Sequence, residues 1–148
     1  MTDATAPPSN PSDPLLRTHL RFGWALLLVF LVLGAALEAF HALKWPVYLS
    51  ADNETRRLMW TLAHAHGALL GLIHIAFAVS VPHLSQLSPS SLRLTSRMLI
   101  AAAVFLPLGF ILGGSVVTGG DPSIGILLVP VGALALFGGV ALCWRGIR

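Results

Sequence analysis

The sequence predicts an all-α integral membrane protein, an antiparallel bundle of four transmembrane helices. Three observations carry this reading. Hydrophobic residues make up 55% of the 148-residue chain and charged residues only 10%, against about 25% in soluble domains. The charges are gathered in short clusters between four long apolar runs. Each run is close to the ~20 residues a spanning helix needs, and so short a soluble chain has no core for four of them.

Residues 1–14, MTDATAPPSNPSDP, hold almost no large apolar side chain. Such a segment does not bury enough surface to order itself and reads as a disordered tail before a transmembrane domain over 15–148. It lacks the basic start and short apolar core of a signal peptide. The first span covers about 20–43, led by Arg17 and Arg21 and closed by Lys44, with Trp24 and Trp45 near its ends as interfacial aromatics. Beyond the leading arginines, Glu38 is its one charged residue. The connection KWPVYLSADNETRR reads as a segment along the membrane surface. Asn53 or Thr55 is placed to cap the next helix.

The second span, about 58–81, contains His64, His66 and His74 and ends at Pro82. A polar loop with Pro89 follows, and Ser90 or Ser91 is placed to open the third helix. The third span, about 97–117, carries Pro107, Gly109, Gly113 and Gly114. TGGDPS is a turn by composition. The fourth span, about 124–144, carries Pro130, Gly132, Gly138 and Gly139. These Gly and Pro residues read as packing and kink devices.

Arg17, Arg21, Arg93, Arg97, Arg145 and Arg148 share one side. Lys44, Arg56 and Arg57 lie on the other, diluted by Asp52, Glu54 and Asp121. This bias predicts that both termini are cytoplasmic, which for a bacterial chain means a multi-pass protein of the inner membrane. The net charge of +3 comes without a basic stripe interleaved with aromatics, so nucleic acid is not an expected partner. The single Cys143 excludes an internal disulfide and multi-Cys metal sites. Its position suggests a small packing residue.

Ionisable residues inside spans are costly and point to function. Here they are Glu38, His41, His64, His66 and His74. Glu38 lies five residues before the outer end of span one and His64 six after the outer start of span two. At ~1.5 Å per residue these depths agree. His41 shares a face with Glu38 by i,i+3 spacing. A histidine-rich pocket of Glu38, His41 and one or both of His64 and His66 is therefore expected in the outer half of the bilayer. On a regular helix His64 and His66 diverge by about 200°, so one of them faces elsewhere. His64, Gly67, Gly71 and His74 form one stripe expected to face another helix, and Gly67 and Gly71 permit close approach.

His74 stands deeper. Pro107 leaves the carbonyl of Ala103 without its helical donor, and the two depths match. His74 with Pro107 is thus expected as a structural polar pair, His74 donating to Ala103. His19 and His83 lie at the inner interface and suggest no special role.

Three chemistries suit the outer cluster. His41, His64 and His66 are candidate haem ligands. Glu38, His41 and His64 are an alternative set for a transition metal ion. A Glu–His chain also relays protons. No nucleophile–base set, P-loop, dinucleotide fingerprint or haem-c motif is present, so no catalytic residue is expected and the chain by itself does not read as an enzyme.

The segment from Trp60 to Leu84, with His64, His66, Leu70, Gly71 and Pro82, resembles a segment of small membrane proteins related to subunit I of the haem–copper oxidases. The resemblance implies haem or metal contact at His64 or His66. It does not imply oxygen reduction, because four helices are too few and no histidine follows His83. Gly67 and Ala68 also depart from the larger and polar residues of that pattern. Three functions remain open: a haem- or metal-binding partner of a respiratory complex, a structural or assembly subunit without cofactor, and a proton relay or small transporter. The last needs an oligomer, for which the Gly-rich faces of spans three and four offer an interface. Beyond the lipid bilayer, the expected partners are a second copy or a larger membrane complex.

Overall fold

The computed structural model describes residues 13–49 and 53–147. Five helices dominate it: α1 (Asp13–Ala42), the short α2 (Pro46–Leu49), α3 (Glu54–Ser80), α4 (Pro89–Ser115) and α5 (Leu128–Gly146). The four long ones coincide with four stretches long and apolar enough to cross a membrane. They extend beyond the apolar runs, because helix continues through flanking polar turns. α1 begins at Asp13, inside the segment read as a tail; residues 1–12 of that segment lie outside the described residues.

Each helix end has a physical cause. α1 stops where Lys44 takes a left-handed conformation, φ 49°. The Lys44 amide then donates to His41 O and the Trp45 amide to Phe40 O. This is a Schellman closure, accompanied by its hydrophobic contact: the Phe40 and Trp45 rings meet edge-on at 4.5 Å. Trp45 thereby turns the chain back, and α2 lays Tyr48 against His41. The third long helix opens at Pro89, before either serine expected to start it. Ser88 accepts the Ser91 amide at 3.2 Å, and Pro89 occupies the first helical position, where a missing N–H costs nothing.

α4 ends in a two-residue hairpin, β1 (Val117–Thr118) paired with β2 (Asp121–Pro122). Both turn residues have positive φ, Gly119 at 62° and Gly120 at 89°, as the tight primed turns require. Ser123 fastens the return, its amide donating to Gly113 O at 2.9 Å and its hydroxyl to Leu112 O at 2.7 Å. A 3-10 turn over Ile124–Leu127 then leads into α5. Pro130 therefore sits in the first turn of α5, where proline is tolerated, while Pro107 lies inside α4.

Each long helix packs chiefly on its neighbour in sequence, α1 on α3, α3 on α4 and α4 on α5. Neighbours run in opposite directions, since contact numbers fall on one helix as they rise on the next. Gly23 meets Gly71 and Gly34 meets His64; Gly109 meets Val129 and Gly139 meets Leu99. The central core gathers Ala63, Leu70, Ala102, Ala103, Leu106 and Phe110 from α3 and α4. Gly109, Gly132 and Gly139 are consumed in the α4–α5 contact, and Gly113 in the contact with Ile126 of the 3-10 turn. Much of the Gly-rich faces of spans three and four is thus covered within the chain.

α1 and α3 approach backbone to backbone. A Cβ on Gly23 would stand 2.7 Å from Gly71 O. Gly23→Leu and Gly71→Leu are each expected to destabilise the fold by about 1–3 kcal/mol, the usual cost of overpacking. Gly138→Ala, which meets only the flexible tip of Met98, is expected to stay within about 0.5 kcal/mol. Unfolding midpoints in mild detergent decide this. Equal effects at Gly71 and Gly138 would refute the close-approach account.

Candidate functional site

Two polar clusters lie between the helices. The first forms where α1 ends and α3 begins. Glu38, His41, Tyr48, Thr61 and His64 line a cleft of about 390 Å³, floored by Leu31, Gly34, Ala35 and Leu37. Gly34 makes it possible: a Cβ there would stand 2.4 Å from the His64 ring. With that space free, His64 Nδ1 donates to Phe30 O on α1 at 2.6 Å. His41 Nδ1 donates to Leu37 O, one turn back on its own helix, at 3.2 Å. Tyr48, 1% exposed, meets the His41 ring edge-on at 4.9 Å.

These hydrogen bonds set the tautomers. A carbonyl only accepts, so each Nδ1 carries the proton in the neutral ring and each Nε2 keeps its lone pair. Backbone carbonyls commonly fix metal-binding imidazoles in this way. Glu38 is exposed at the cleft. Among the described residues no three His, Cys, Asp or Glu side chains are grouped so as to hold a metal ion. The cleft therefore supplies separate donors from two helices and no closed coordination shell.

His66 does not join it. Its Nδ1 donates to Leu62 O at 2.8 Å, and its ring lies 4.8 Å from Phe110 of α4. The stripe His64, Gly67, Gly71 and His74 faces α1, meeting in turn Phe30 and Gly34, then Phe30, then Gly23 and Leu27, then His19.

His19 belongs to the second cluster, which sequence reasoning missed. His19 and His74 are both 0% exposed, and their Nδ1 atoms lie 2.6 Å apart. The rings are near-parallel, 15° between planes. Phe77 packs on His19 at 4.6 Å and Phe22 on His74 at 4.8 Å. His19 Nε2 meets Ser96 Oγ of α4 at 2.8 Å. His74 Nε2 meets Leu99 O at 3.3 Å. The expected acceptor, Ala103, is therefore replaced by a carbonyl one helical turn nearer the start of α4. The ring of His74 is drawn that way by its bond to His19, so the carbonyl opposite Pro107 plays no part and the His74–Pro107 pairing is not made.

Only one proton arrangement satisfies this chain with two neutral rings. Leu99 O accepts, so His74 Nε2 carries a proton and its Nδ1 is bare. His19 Nδ1 must then donate to it, which leaves His19 Nε2 to accept from the Ser96 hydroxyl. The chain runs Ser96, His19, His74, Leu99 and joins α1, α3 and α4. No spacing pattern announces it, because its members come from three helices. The signal available was a histidine two turns inside α1, on the same face as Gly23.

The end of the bundle at the α1–α3 connection is held by side chain to backbone bonds. Arg56 Nε donates to Gly114 O and its Nη1 to Val47 O, at 3.2 and 3.0 Å. Arg57 donates to Leu49 O at 3.1 Å and Thr55 to Gly120 O at 2.5 Å. Half-buried Cys143 lines an apolar cavity of about 150 Å³ beside Leu84 and Leu99, in keeping with a packing role. No family model, curated protein or solved structure matches this chain.

The buried pair predicts strong coupling in a double-mutant cycle. His19→Leu and His74→Leu each strand a ring nitrogen of the other, a loss of about 1–3 kcal/mol. The double variant is expected to lose less than the sum, measured as unfolding free energy in detergent. Additive losses would show that the two rings do not depend on each other.

Proposed function

We propose that this chain is a multi-pass membrane protein, an antiparallel four-helix bundle with both termini cytoplasmic, whose outer-half cleft binds a ligand through Glu38, His41 and His64. The observation that carries this is the cleft itself. Two imidazoles from different helices line it, each keyed through Nδ1 to a carbonyl. Their Nε2 lone pairs and the Glu38 carboxylate suit haem iron or a transition metal ion.

Because no three donors are grouped within the described part of the chain, this reading requires further ligands from outside it. A larger membrane complex would provide them, and the resemblance of the Trp60–Leu84 segment to haem–copper oxidase relatives favours a respiratory one. In that setting His64 is the anchoring ligand, since Phe30 O fixes its ring from the neighbouring helix, whereas His41 is tied only to its own. His66, turned to Phe110, is a packing residue in this reading.

A second reading is favoured by the same donor set: a structural or assembly subunit without cofactor, whose polar residues join helices. A transmembrane proton relay fits less well. His64 and His74 are ten residues apart, about 15 Å along the helix, and Phe30, Gly67 and Leu70 fill the interval as buried apolar groups.

The chain, isolated in mild detergent together with the copies or membrane partners it retains, from cells supplied with haem and metals, separates the two by absorption spectrum and elemental analysis. The ligand reading expects a Soret band or near-stoichiometric metal that His64→Ala abolishes and His66→Ala leaves. A colourless, metal-free protein would overturn it in favour of the structural subunit.

A further inference from the structure

We propose that the His19–His74 pair is a buried binding site for one excess proton, with Ser96 as its only door. This inference is independent of the outer cleft and its ligand. It rests on the connectivity of the chain, which has a different end on each side.

In the neutral chain every contact has one donor and one acceptor. Let one proton arrive from water at the Ser96 end. It is accepted by the bare Nε2 of His19. The Ser96 hydroxyl turns its hydrogen away from His19, toward the surroundings. His19 Nε2–H now donates to Ser96 Oγ. The proton between the two Nδ1 atoms stays shared, and His74 Nε2–H still donates to Leu99 O. The pair has gone from charge 0 to +1 and no hydrogen bond has been lost.

A second proton has no such place. It would set two N–H groups against each other across the 2.6 Å between the Nδ1 atoms and break the junction of α1 with α3. The capacity of the intact site is therefore one. Leu99 O accepts a hydrogen bond but has no proton to pass on, so that end is closed and the chain stores a proton instead of conducting it. Both rings are 0% exposed and Leu99 1%, while Ser96 keeps 7%, the most of the four members.

Among the described side chains, the charged groups around the site are all cations. Arg17 and Arg21 flank it on α1, and Arg93 and Arg97 on α4, all exposed. α3 presents Phe77 to it. Among the described side chains no carboxylate stands at this end, since Glu38, Glu54 and Asp121 belong to the other. With no counter-ion, one imidazole alone would hold the whole charge. Two imidazoles joined through a short Nδ1 contact divide it, which gives a reason for a buried pair where a single hydrogen-bonded histidine would have sufficed for packing.

The test is ring-nitrogen NMR on the full chain, labelled with 15N-histidine and held in lipid nanodiscs, titrated from about pH 8 to about pH 4. The expected neutral state has His74 protonated on Nε2 and His19 on Nδ1, with scalar coupling between the two Nδ1 nuclei. Acidification is expected to add one proton to the pair, both rings moving in a single step while the amide spectrum shows the helices still packed. Ser96→Ala removes the acceptor of the charged form, and uptake is expected to need about tenfold more acid or beyond. Two independent steps without coupling, two protons bound with packing intact, or no uptake before the helices separate would each overturn the proposal. Should Ser96→Ala not fold, the titration of the unaltered chain decides alone.

Discussion

The backbones of α1 and α3 touch at Gly23 and Gly71, where a Cβ on either residue would stand 2.7 or 3.0 Å from the other's carbonyl oxygen. Both polar clusters depend on this approach. With the helices so close, the imidazole of His64 reaches the main chain of α1, and the ring of His74 reaches a ring on α1 instead of a backbone group of its own helix. Larger residues at Gly23, Gly34, Gly67 or Gly71 would push the helices apart and leave both histidines facing apolar surface. Buried polar groups without partners are expensive, so the glycine contact and the polar contacts on either side of it stand or fall together.

The two clusters differ in what they satisfy. The inner one closes on itself: each nitrogen of each ring has a partner within the chain. The outer one leaves Nε2 of two histidines and a carboxylate on an open cleft. A closed network specifies how helices meet; an open one invites an occupant. That contrast is the physical ground for proposing ligand binding at the Glu38–His41–His64 cleft and an internal role for the His19–His74 pair.

Much of this was legible in the sequence. The four helices follow from apolar run length alone. The stripe through His64, Gly67, Gly71 and His74 gave the face of α3 that meets α1, because small residues four apart announce close packing whatever the partner. The divergence of His64 and His66 followed from helical geometry. What failed was knowledge of the partner surface. His19 looked interfacial because the apolar run begins at residue 20, whereas α1 begins at Asp13 and places it two turns inside. Ser96 lay outside the expected third span for the same reason. The acceptor of His74 was sought at the carbonyl freed by Pro107, a rule of local backbone chemistry, when a side chain on another helix had the stronger hold. Periodicity on one helix says which side is turned inward and nothing about what waits there.

The packing order α1, α3, α4, α5 has a consequence for biogenesis. In a chain inserted helix by helix, as the membrane reading implies, each new span finds its main partner in the span just released, so docking can keep pace with synthesis and requires little search. The bond from His19 to Ser96 is the exception, 77 residues apart in sequence. It forms only once α4 has emerged, after α1 and α3 are paired. His19 must therefore wait, half-partnered in the nascent bundle, for a serine that arrives two helices later, and the completion of that bond marks the moment at which the first three spans become one unit.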